Sequence, residues 1–314
     1  MAEIPVLAAR EPSFVITYGP SGLGKSADSI WAGAGAGVFI VAHPDGVKPA
    51  VNVVGAPLAA SQIRTAFSLS GAYAHLQAVV AENTAAAETG SPVWRIIVID
   101  DLSMLVENEL STMKASGQYN ARGGFSFELW TSLMSQLVDF GNLARFAGVH
   151  VLANAHERDP AIDAKGVYHR GGPALPSMKM IKRLPHIASE VWKAEIDRDN
   201  ALWPAVIRCE PDPSWVMKSR DGLRGTAPLN VGEWLRSNGY VIPRPVGLEW
   251  IEDWSGVIAQ RLGEGADRRE LTIKARDQLA TLGHTPQHIY WAIRDGVHRH
   301  AFKEIKANSL LGYL

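Results

Sequence analysis

Apolar positions in the first half of the chain come in short unbroken runs rather than in alternation. Phe14–Tyr18 (FVITY), Val38–Val41 (VFIV), Arg95–Ile99 (RIIVI) and Val149–Ala153 (VHVLA) are the main ones. Runs of this length without a polar alternate fit strands buried on both faces. Between them the spacing changes to that of helices. Lys25–Ala34 predicts a helix, which Gly33, Gly35 and Gly37 end. Ala72–Ala87 is alanine-rich and predicts a second helix, and another starts near Leu102. Phe127–Phe146 carries Leu129, Leu133, Leu137, Phe140 and Leu143, the stripe of a helix packed on one side. Ser189–Ile196 and Leu202–Glu210 predict two later strands. Strands and helices in alternation imply an α/β fold with a mainly parallel sheet and helices on both faces.

The pattern changes near Pro243–Pro245. Leu248–Leu262, Arg268–Leu282 and Pro286–Arg294 are all helix-like, with no strand between them. This predicts a core of residues 1–242 and a small helical appendage of residues 243–314.

Composition narrows the function classes. With 46% apolar and 20% charged residues, the chain reads as an ordinary globular protein. It has no apolar run long enough for a membrane span. Its first residues lack a basic region followed by a long apolar core, so no secretory leader is expected and a cytoplasmic setting is. A single cysteine, Cys209, rules out an internal disulfide and a cysteine-based metal framework. The formal net charge of −1 argues against a surface coated in basic residues for duplex DNA. Any nucleic acid must be held by local loops.

The strongest chemical signal is Gly19-Pro20-Ser21-Gly22-Leu23-Gly24-Lys25-Ser26, which matches G-x-x-x-x-G-K-[ST] at every fixed position. It lies after a strand and opens a helix, as a phosphate-binding loop (P-loop) requires. The glycines let successive N–H groups face one concavity. The helix, beginning at Lys25 with Ser26 and Ala27 in its first turn, adds its positive end. Lys25 would reach terminal phosphates and Ser26 would offer a hydroxyl to Mg²⁺. The expected cofactors are therefore ATP and Mg²⁺. Asp100 ends the strand IIVID and would hold the magnesium shell. Asp101 would either polarise the attacking water or cap the next helix. Asn154 and His156 end the fourth strand, where His156 would sense the terminal phosphate or close the strand end.

Two long loops follow. One, NAHERDPAIDAKGVYHRGGPALPSMK, carries Arg158, Lys165, His169, Arg170 and Lys179 and reads as structureless. The other, KASGQYNARGGFSF, carries Lys114, Tyr119, Arg122 and Phe125. Cations mixed with aromatics suit single-stranded nucleic acid, through charge and base stacking. Lys218 and Arg220 sit two apart at the end of a predicted strand, and alternation puts both on one face. Two cations there could reach a nucleotide held by a neighbouring subunit.

Together the P-loop, the IIVIDDL strand, the long loop after VHVLANAHE and the Lys-x-Arg-x-Gly spacing of Lys218–Gly222 resemble the RecA-like core ATPases. The stretch from VFIVAHPDG to PDPSWVMKSRDG resembles, more closely, phage-encoded RecA-like ATPases of the Sak single-strand-annealing type. The resemblance covers roughly residues 12–225. It implies a RecA fold, ATP hydrolysis, assembly into a ring or filament of identical subunits, and action on single-stranded DNA. In that group a Lys-x-Arg pair serves the adjoining subunit. One departure matters. The group places a catalytic glutamate after the second strand, whereas this chain has VAHPDG, with Asp45 as the nearest carboxylate. The water-activating carboxylate is then Asp45 or Asp101. Two other classes fit the motifs: a remodelling motor of the AAA+ kind, and a nucleotide-dependent assembly component that does not bind DNA.

Overall fold

The computed structural model describes residues 12–33, 36–43, 59–90, 94–117, 126–196 and 205–240. The predicted helices after Pro243, and Asp45, Tyr119, Arg122 and Phe125, lie outside the described residues. The chain divides into two compact units, residues 1–195 with 207–243 and residues 196–206 with 244–314. The site described below belongs to the first.

Five parallel pairings build the centre of the sheet. The strands are β1 (Phe14–Tyr18), β2 (Gly37–Val41), β3 (Ile63–Thr65), β4 (Ile96–Asp100), β5 (His150–Ala155) and β10 (Glu190–Ile196). They run in the order β3-β2-β4-β5-β1-β10, parallel at every step. β11 (Ala205–Cys209) and β13 (Gly225–Pro228) extend the sheet beyond β10, and β12 (Lys218–Ser219) pairs antiparallel with β10. Every residue of β1, β2 and β5 is buried, which explains why those runs show no alternation. The architecture is mixed α/β with a mostly parallel sheet.

Helices cover both faces. α1 (Lys25–Gly33) and α6 (Val231–Ser237) pack together, with α1 against β2, β4 and β5. Buried Asp28 of α1 accepts a hydrogen bond from Val231 N–H at 3.1 Å, capping the start of α6. The other face carries α2 (Leu69–Thr89), α3 (Leu102–Ala115), α4 (Phe127–Phe146) and α5 (Met178–Ile187). α4 forms where the spacing predicts it, with Ser126 Oγ accepting from Leu129 N–H at 3.1 Å as its cap. It buries Leu129, Leu133, Leu137, Phe140 and Ala144. Each such leucine, fully withdrawn from water, stabilises the fold by roughly 1.5–3 kcal/mol.

Parallel register brings the strand ends to one edge. Tyr18 lies beside Ala155 on one side and Lys193 on the other, and Val41 lies beside Asp100. The loops that follow β1, β4 and β5 therefore start side by side. This is the edge at which open α/β sheets place ligands.

The loop after β5 departs from the sequence expectation. It is folded rather than structureless. β6 (Glu157–Arg158) pairs with β9 (Gly172–Pro173), and between them β7 (Ala161–Ile162) and β8 (Tyr168–His169) form a hairpin. Asp163 holds the hairpin tip, its Oδ1 accepting from the N–H groups of Lys165 and Val167 at 2.9 Å each.

Candidate active site

The Gly19–Gly24 loop leaves β1 and enters α1 without a break. Gly22 and Gly24 have φ of 85° and 87°, in the left-handed region that favours glycine. Asp28 N–H bonds Gly24 C=O at 2.8 Å, so the helix begins in the loop itself. The N–H groups of its first turn therefore have no intrahelical acceptor and point outward from the helix start. Lys25 is nearly buried, at 9% exposure, and its ammonium donates to Gly19 C=O at 2.8 Å and Pro20 C=O at 2.7 Å. Burial lowers its pKa, with Asp100 and Asp101 opposing. The chain thus keeps a cation in a poorly solvated place, bound among the described residues to neutral carbonyls. Anionic oxygens would be better partners.

Ser26 Oγ donates to Asp100 Oδ1 at 3.0 Å, and Asn154 Nδ2 donates to the same oxygen at 3.2 Å. Asn154 is itself held, its Oδ1 accepting from Ser29 Oγ at 3.1 Å. A polar chain thus links α1, β5 and β4. Burial raises the Asp100 pKa, and the bonds from Ser26 and Asn154 counter it. Asn154 as the clamp between Asp100 and α1 is legible in sequence only as a polar residue at a strand end.

Asp101 caps α3. Its Oδ1 accepts from Met104 N–H at 2.6 Å, and its Oδ2 lies 2.7 Å from His156 Nε2. His156 Nδ1 faces Ser21 Oγ of the loop at 3.4 Å, and its backbone N–H donates to Ser103 Oγ at 3.1 Å. An ionised carboxylate only accepts, so in the neutral ring Nε2 carries the proton and Nδ1 is left as an acceptor toward the loop. Half of the His156 side chain is exposed.

Glu157 comes next and carries no motif. Burial raises its pKa, with Lys193 and Lys25 opposing, and its Oε2 is buried without a hydrogen-bond partner among the described residues. The one sequence signal for it is a carboxylate directly after His156. Cys209 is buried, which pushes its thiol up to about 12 and leaves it unreactive at neutral pH.

Lys218 and Arg220 are brought near each other, but not as a matched pair on one strand face. β12 ends at Ser219, so only Lys218 is in the ladder. Lys218 Nζ donates to Ala188 C=O at 2.8 Å and to Pro185 C=O, tying it to the end of α5. Burial and the neighbouring Arg220 and Arg145 lower its pKa to about 8. Arg220 is exposed. Both stand away from the loop of their own chain. Glu190 is level with Val15, and β12 runs antiparallel past Glu190 while the loop starts beyond Tyr18. Val15 to Tyr18 alone is about 10 Å along the strand.

Several loop cations are engaged in holding the fold, within their own loop or, for Arg170, against residues 212–215. Arg158 donates to Leu175 C=O at 3.5 Å, His169 pairs with Asp163 at 2.9 Å, and Arg170 donates to the carbonyls of Asp212 and Trp215. Lys165 at the hairpin tip and Lys179 are exposed, as are Ile162, Val167 and Tyr168.

No family model matches the sequence, and no curated protein matches it. Among solved structures, the chain is similar to an ATPase from the type III secretion system of pathogenic bacteria. The two are 15% identical, with 96% of this chain and 80% of that chain covered, at a TM-score of 0.39. So distant a superposition does not locate a site, and the chemistry rests on the side chains described above. None of the helices among the described residues is long and apolar enough to cross a membrane.

Proposed function

We propose that the protein is a RecA-like ATPase that binds Mg-ATP on the Gly19–Ser26 loop. Hydrolysis depends on a cation from a neighbouring subunit, and the activity is exerted on single-stranded DNA. The observation that carries this reading is the contact of Ser26 Oγ with Asp100 Oδ1 at 3.0 Å, beside a glycine-rich loop whose lysine is buried.

The donor set fits the cofactor. Magnesium prefers oxygen ligands and takes few from protein when phosphates supply the rest. Ser26 and Asp100 offer two adjacent oxygens, and no cluster of three or more His, Cys, Asp or Glu side chains suited to a metal occurs among the described residues. The ion, bound there, would neutralise phosphate charge.

The chain's own residues do the rest. Loop N–H groups and the start of α1 hold the phosphates. Lys25 turns from the carbonyls of Gly19 and Pro20 to the terminal phosphates. A water oxygen forms a bond to the γ-phosphorus as the β–γ bridge breaks, and the bridging electron pair stays on ADP. The water's proton passes to a base. Asp101 and Asp45 are the carboxylates the sequence offers, and the contact of Asp101 with His156, whose Nδ1 faces Ser21, supports Asp101 acting through His156. Of the Lys218–Arg220 pair, Arg220, too far along the strand direction to serve its own loop, is the one with a free guanidinium among the described residues to complete a neighbour's site. Assembly into a ring or filament follows from that division.

Single-stranded DNA is the proposed partner because the β7–β8 hairpin rises from the edge that carries the loop and presents Lys165 beside exposed Tyr168. A cation and an aromatic suit phosphate and a stacked base. The proposed setting is recombination, annealing or replication of the phage type in the host cytoplasm. An ATPase assay with and without single-stranded DNA tests this. Hydrolysis stimulated by DNA, and lost in Lys25→Ala, is the expected result. Hydrolysis indifferent to DNA favours a motor of another class, and no hydrolysis favours an assembly component.

A further inference from the structure

We infer that Glu190 is a positioning residue that aims Arg220 at the nucleotide of the neighbouring subunit. This rests on the reading of Arg220 given above. Glu190 is fully buried at the start of β10, and it belongs to no contact of the phosphate loop. Its Oε1 accepts from the backbone N–H groups of Arg220 at 2.7 Å and Asp221 at 3.0 Å. Its Oε2 accepts from Trp192 Nε1–H at 2.8 Å. The turn needs those acceptors, because β12 stops at Ser219 and the sheet offers no further partner strand.

Two other bonds fix the same turn. Leu223 N–H donates to Ser219 Oγ at 2.9 Å, and Tyr240 Oη donates to Asp221 Oδ2 at 3.0 Å. The backbone is therefore held, while among the described residues the Arg220 guanidinium makes no hydrogen bond or ion pair. Arg220 lines two clefts, of about 730 and 350 Å³. A fixed backbone with an uncommitted guanidinium is the arrangement a charge delivered to another molecule requires, since loose placement forfeits catalysis.

Glutamine is a sharp probe of this role. The site presents N–H donors to both carboxylate oxygens, and an amide has only one acceptor oxygen. Glu190→Gln keeps shape but leaves either the turn or Trp192 facing a donor.

The test uses the full chain with ATP. Glu190→Gln is expected to lower hydrolysis about a hundred-fold, the effect of losing one transition-state donor, while ATP affinity and assembly size stay as in the wild type. Mixed in equal amounts with Lys25→Ala, it regains activity. Its intact phosphate loops then face intact Arg220 turns, at about a quarter of all interfaces if subunits mix randomly. Arg220→Ala mixed with Lys25→Ala is run beside it. Recovery in both mixtures supports the inference, because a merely weakened fold would not be rescued in trans. Recovery with Arg220→Ala only, or wild-type activity in Glu190→Gln alone, overturns the role of Glu190 and leaves that of Arg220. No recovery in either mixture overturns the neighbour-site reading and this inference with it. Glu190→Ala serves as a second variant, and if it does not fold, the glutamine form decides.

Discussion

Lys25 and His156 show how single residues at this site are fixed by their neighbours. The ammonium of Lys25 rests on two loop carbonyls. His156 bridges Asp101 and Ser21 and keeps one ring nitrogen turned to the loop. If that nitrogen handles the water's proton, His156→Ala should lower kcat by about 10²–10⁴ while KM moves little, the range for losing a general base. Steady-state kinetics checks this, and a parallel rise in KM with unchanged kcat would make His156 a binding group instead. His150 is a different kind of histidine. Its Nδ1 accepts from Ser13 N–H at 3.2 Å, its ring meets Tyr240 edge-on, and burial lowers its pKa from 6.5 to about 4. Between those values the unfolded chain binds a proton that the folded chain refuses, so stability rises with pH through the window and is lost on acidification. Between pH 7 and pH 5 the loss from this group is on the order of 2 kcal/mol. Denaturant melts at the two pH values measure it. His150→Asn, which keeps an acceptor for Ser13, should flatten the difference.

At the scale of elements, strands and helices with a strong period were legible. β1, β4, α1 and α4 lie where the apolar pattern puts them, within a residue or so, because burial on two faces and a helical stripe both leave marks in sequence. The glycine-rich turn between β1 and α1 was legible for a different reason, since Gly22 and Gly24 take up positive φ there. The pairs β6–β9 and β7–β8 were not, because strands of two residues have no period to detect. Their fold depends on distant partners, such as Gly171 N–H bonding Ser214 C=O at 2.7 Å. The role of Lys218 was hidden likewise. Its acceptors, Pro185 and Ala188, lie about thirty residues away. Gly19 ties loop to sheet. A Cβ added there would stand 2.3 Å from Ala194 C=O, a backbone atom that no rotamer change moves. Gly19→Ala should therefore push the loop off β10, costing about 1–3 kcal/mol as for other overpacked sites. Thermal melts should show the loss, and ATP titration should show weakened binding. A variant with unchanged stability and affinity would mean that the loop position is not set by this contact.

For the whole molecule, the sheet separates two chemistries. One edge carries the Gly19–Gly24 loop, Asp100 and the Asp101–His156 pair, and Arg220 runs past the far end of β10. The proposal is that these two edges meet only between subunits, and this is the central claim about how the protein acts. ATPase activity per subunit, followed across protein concentration beside the assembly state, tests it most directly. The account predicts that activity per subunit rises steeply as subunits associate and then levels off, with Arg220→Ala flat and near zero throughout. Full activity in dilute monomers, unchanged by concentration or by loss of Arg220, would contradict it.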